Sequence, residues 1–191
     1  METRPQLNID LYSMMRVARS IPYIGNKGNP PNGSLWLVDV ITFKKERLFY
    51  FMSKVAVVYW SGTGNTEAMA MAVAEGAKEK GAEVSVLTAS EFSADQVSSF
   101  DAIAFGCPSM GAEQLEEIEF EPMFSACENR LSGKNIALFG SYGWGDGEWM
   151  RSWEARCNDD GANLACDSVI CNETPDDDGL AACRNLGASL A

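Results

Sequence analysis

A chain of 191 residues with 46% apolar content is long enough for one well-packed domain and too apolar to stay disordered. Its 27 Asp and Glu outnumber 15 Lys and Arg, and the net charge of −12 argues against nucleic acid or anionic membrane as a partner. The lack of histidine excludes His-based triads and His-ligated metal sites.

The charge is uneven. Residues 1–51 hold seven basic and four acidic side chains, which leaves eight basic and 23 acidic in residues 52–191. The first segment has a Gly/Pro/Asn cluster at 25–33 and an apolar run at 35–43. That run is interrupted by Asp39, too short to span a bilayer, and too far from Met1 for a secretory signal. Residues 1–51 are therefore expected to be an N-terminal extension preceding a domain at 52–191. Met52-Ser53-Lys54 opens the organised pattern abruptly, and Lys45-Glu46-Arg47 can be encoded by a purine-rich, ribosome-binding type of stretch. Translation is expected to start at Met52; N-terminal mass spectrometry of native protein checks this, and peptides from 1–51 would refute it.

From Met52 onward strands and helices alternate. Val55, Ala56, Val57, Val58 and Tyr59 form a short β-branched run, predicted as a buried strand. A Gly/Ser/Thr-rich turn leads to an Ala-, Met- and Glu-rich helix over 67–80, stopped by Gly81. Strands are predicted at 84–87, 102–105, 136–139 and 164–170, with helices near 94–98, 115–130, 148–157 and 177–190. Pro122 limits or interrupts the helix near 115–130. Asp176, Asp177 and Asp178 place negative charge where the last one starts. The pattern predicts an α/β fold: a doubly wound, five-stranded parallel sheet. Ligands then belong at the carboxyl ends of the strands. Six cysteines without a CxxC pair suggest reduced structural thiols and a cytoplasmic location.

The turn after the first strand reads Ser61, Gly62, Thr63, Gly64, Asn65, Thr66. Glycines let backbone N–H groups converge, a helix N-terminus adds its dipole, and hydroxyls and an amide add donors, so this is a candidate phosphate cradle without a basic side chain. It lacks the Gly-Lys-Ser/Thr ending of a nucleotide triphosphatase loop. A dinucleotide fingerprint would need glycine where Glu67 stands, and a phosphorelay receiver would need acids at Tyr59 and Trp60. An ordinary helix-capping turn is the remaining alternative.

Tyr59 through Glu67 resembles the FMN-phosphate loop of flavodoxins, and residues 52–191 resemble short-chain, clostridial-type flavodoxins in element order and loop positions. The resemblance implies the flavodoxin-like strand order 2-1-3-4-5, non-covalent FMN, and no catalytic or metal-binding residue. It extends the site to Pro108, Ser109, Met110, Gly111 and Glu113, with Met110 against one ring face and the Met110–Gly111 peptide as a redox switch. Glycine at 111 suits that part, because turning the Met110 carbonyl toward the flavin N5–H requires a backbone that a Cβ disfavours. Glu113 becomes the acceptor for the flavin N3–H; Ala112 stands where related proteins often carry Asp. After the fourth strand, Ser141, Tyr142, Gly143, Trp144 and Gly145 supply backbone amides and an indole platform for the other ring face. Asn172 and Glu173 correspond to a further contact region.

The function so implied is a low-potential one-electron carrier. Asp146, Glu148 and the acidic surface would disfavour a second negative charge on the ring. A monomer is expected, with basic-faced redox proteins as salt-sensitive partners. Two alternatives stay open: an FMN-dependent NAD(P)H:quinone or flavin reductase on the same fold, and a flavin-free signalling domain.

Overall fold

A computed structural model describes residues 52–191; the expectations placed on residues 1–51 lie outside the described residues. The chain order is β1 (Lys54–Tyr59), α1 (Asn65–Glu79), β2 (Glu83–Thr88), two 3₁₀ turns (Ala89–Glu91 and Ala94–Ser99), β3 (Ala102–Gly106), α2 (Phe120–Cys127), a 3₁₀ turn (Glu128–Arg130), β4 (Asn135–Tyr142), α3 (Glu148–Asp159), β5 (Asn163–Leu164), β6 (Val169–Asn172) and α4 (Asp177–Ala188). All pairings are parallel, in the order β2-β1-β3-β4-β5, with β6 also on β4. This is the doubly wound sheet and strand order expected.

The predicted fifth strand over 164–170 is two pieces sharing one edge. Asn163 pairs with Asn135, but Val169 pairs with Phe139, so two extra residues are accommodated between the pieces. The predicted helix over 115–130 is also shorter. The buried Glu116 carboxylate accepts from the backbone N–H groups of Ile118 (2.9 Å), Glu119 (2.8 Å) and Phe120 (2.9 Å). That side chain takes the amides a helix would direct elsewhere, and α2 begins only at Phe120. Pro122 then falls in the first turn, where a missing N–H costs nothing. The segment near 94–98 is 3₁₀ rather than α-helical.

Alternation along the strands serves both faces. Ala56 and Val58 point into a layer with Phe120, Phe124, Trp149 and Trp153 of α2 and α3. Val55, Val57 and Tyr59 face Met69, Val73 and Ala77 of α1 and Cys183 and Leu186 of α4. Helices α1 and α4 approach through small residues: a Cβ on Gly76 would overlap the carbonyl of Arg184, and one on Gly187 that of Val73. The six cysteines are free thiols, five of them buried. Burial holds the Cys157 and Cys183 thiols up at about 12, so both stay protonated at neutral pH.

Candidate functional site

Three loops meet at the carboxyl ends of β1, β3 and β4, joined by backbone bonds that continue the sheet. Trp60 N donates to Gly106 O (3.0 Å) and Ser109 N to Ser141 O (2.9 Å). Glu173 N donates to Tyr142 O (2.7 Å), which brings the segment after β6 alongside. Together they line a cavity of about 320 Å³, the size of a small-ligand site.

From the first loop, Gly62, Thr63 and Asn65 line this cavity; from the second, Pro108, Ser109 and Met110; from the third, Ser141, Tyr142 and Gly143. Sequence reasoning missed Trp60, which also lines it and whose ring lies over Gly62. The signal was an aromatic residue directly before a glycine-rich turn. Glu173 joins the lining in a left-handed backbone conformation (φ 53°), and neither Lys nor Arg is part of the wall. The remaining predicted residues stand around it. Ser61 Oγ accepts from Gly64 N (3.1 Å) and shapes the turn. Thr66 is turned inward and fully buried, its hydroxyl bonded to that of Ser141 (3.0 Å), so it ties the first loop to the third.

The helix N-termini differ in a telling way. At α4, Asp176 caps by accepting from Gly179 N (2.8 Å); at α2, Glu116 fills the same role. At α3, Glu113 reaches across from the second loop, and its Oε1 accepts from Gly147 N (3.1 Å) and Glu148 N (3.0 Å). Helix α1 starts after Gly64, whose φ of 89° belongs to glycine and which has no side chain to cap with. Among the described residues, α1 is thus the helix whose first N–H groups meet no side-chain acceptor, and it opens beside the cavity. Free amides plus the positive end of the helix dipole are what a phosphate needs.

The outer rim sets exposed side chains on hydrogen-bonded turns. Gly111 adopts φ 50° in a turn closed by paired backbone bonds between Met110 and Gln114 (2.8 and 2.9 Å). Met110 and Trp144 are 39% and 63% exposed, and Trp144 belongs to neither core layer. Gly145 abuts the Glu113 carboxylate. The sequence also gave no hint of Arg151, which donates to Asp146 O (2.8 Å) and Oδ1 (2.6 Å) and to Glu148 Oε2 (2.8 Å). Two carboxylates expected to repel added negative charge are therefore partly neutralised, and the third loop is tethered to α3.

Residues 57–187 match the family model described as Flavodoxin. The chain is 45% identical to a flavodoxin of Megasphaera elsdenii over 72% of its own length and 98% of that protein. It is 46% identical to a flavodoxin of Clostridium beijerinckii over 63% of this chain and 88% of the relative. The solution structure of two-electron reduced Megasphaera elsdenii flavodoxin superposes with a TM-score of 0.66, covering 71% of this chain and 97% of that one. An open helix N-terminus, a cavity at the switch point of the sheet and these matches lead to one conclusion: the chain belongs to the flavodoxin family, whose members bind FMN and transfer electrons.

Proposed function

We propose that the protein is a low-potential one-electron carrier shuttling between redox enzymes, with FMN seated at the three-loop cavity. The observation that carries this reading is the uncapped start of α1 at the mouth of that cavity, where the other three helices have a carboxylate on their first amides. The first-loop amides, with Ser61, Thr63 and Asn65, would hold the phosphate. Trp144 and Met110, exposed on glycine-bearing turns, would close over the ring faces and keep water away. Oε1 of Glu113 serves α3, and its other oxygen would accept from the ring N3–H. The Met110–Gly111 peptide would offer its carbonyl to N5–H, with glycine lowering the cost of the turn. Bound FMN supplies the redox chemistry, while the protein orients and shields it.

Spectroelectrochemical titration of FMN-loaded protein tests this reading. Two well-separated one-electron waves are expected, the second at low potential; a single two-electron wave would refute it. The purified protein is also expected not to oxidise NAD(P)H in the presence of a quinone. Sustained turnover would assign it to the reductases instead.

A further inference from the structure

We infer that Ile118 is the apolar anchor of a docking surface for a redox protein whose contact face has an apolar depression rimmed by Lys and Arg. This deepens the carrier reading and rests on it. Ile118 is 84% exposed, more than any other large hydrophobic side chain among the described residues. A lone exposed isoleucine is usually unremarkable, but this one is held in place. The buried Glu116 carboxylate fixes the backbone of Ile118 and of the two residues after it, and Glu116 N donates to Cys107 Sγ (3.3 Å). A side chain presented on so rigid a turn loses little freedom on binding.

Its surroundings select the partner. Glu117 and Glu119 flank it, both exposed, and Glu121 follows. From Gly81 to Asn129 the chain has ten carboxylates and no Lys or Arg. This charge excludes an anionic lipid surface and disfavours a second copy of the same chain, while it attracts a basic rim. Ile118 stands eight residues along the chain from Met110, which lines the cavity, and the proposed partner would extend from one to the other.

The test uses the full-length, FMN-loaded protein and a basic c-type cytochrome as probe, with affinity measured at low and at moderate salt. Ile118→Ser is expected to weaken binding roughly tenfold at both ionic strengths, since burial of an apolar side chain is not screened. Glu117→Gln is expected to weaken it by a factor that shrinks as salt rises. Both variants should keep wild-type FMN affinity and thermal stability. Wild-type binding by Ile118→Ser, or a loss that fades with salt as for Glu117→Gln, would overturn the inference. So would a wild-type dimer that Ile118→Ser dissociates, which would assign the residue to self-association. Failure of the carrier reading is recognised separately, by the number of redox waves, because the binding titration involves no electron transfer.

Discussion

At the residue scale, one carboxylate illustrates how a charge can be both buried and stabilising. Burial by itself would raise the pKa of Glu116, but the N–H bonds from Phe120, Glu119 and Ile118 outweigh it and hold the folded value below the ordinary range. The stability contributed is therefore full above the unfolded-state value, about 4.3, and drains away as pH falls through the lower folded value. Glu116→Gln is expected to cost about 1–2 kcal/mol in urea denaturation at pH 7 and progressively less toward pH 3. An equal loss at both pH values would mean that shape rather than charge matters. The glycine-bearing turns and their hydroxyls were legible in the sequence because those residue types announce a turn, and the exposure of Trp144 follows from its glycine neighbours. Thr66 facing Ser141, 75 residues away, was not, nor was Glu113 capping α3, because each depends on a partner that only folding supplies.

At the element scale, the strands and helices were readable from period and composition, and their order implied the sheet. Errors arose where a local rule met a long-range one. The segment 115–119 has helix-forming residues, yet the Glu116 side chain claims its amides. The edge position after α3 reads as one apolar strand, yet its two halves pair with β4 in registers two residues apart. The close contact of α1 with α4 was equally hidden, since glycine inside a helix looks like a weakness until its neighbour is seen. Gly187→Ala, which drives a methyl into the Val73 carbonyl, is expected to cost about 1–3 kcal/mol in thermal unfolding. An unchanged melting temperature would show that the helix pair can slide apart freely.

At the scale of the whole molecule, charge dominates. Residues 52–191 carry 23 acidic against eight basic side chains, and such self-repulsion opposes compactness. Raising ionic strength from about 10 mM to about 0.5 M is expected to raise the melting temperature through screening, and calorimetry showing a fall would contradict this. That repulsion discourages copies from meeting, and the split edge adds a geometric safeguard. An incoming strand needs an unbroken, evenly spaced row of amides and carbonyls to hydrogen-bond along its length. The shift between β5 and β6 breaks that row after two residues, leaving a four-residue remnant. On this side of the sheet, opposite the β2 edge, no continuous template is left for an added strand.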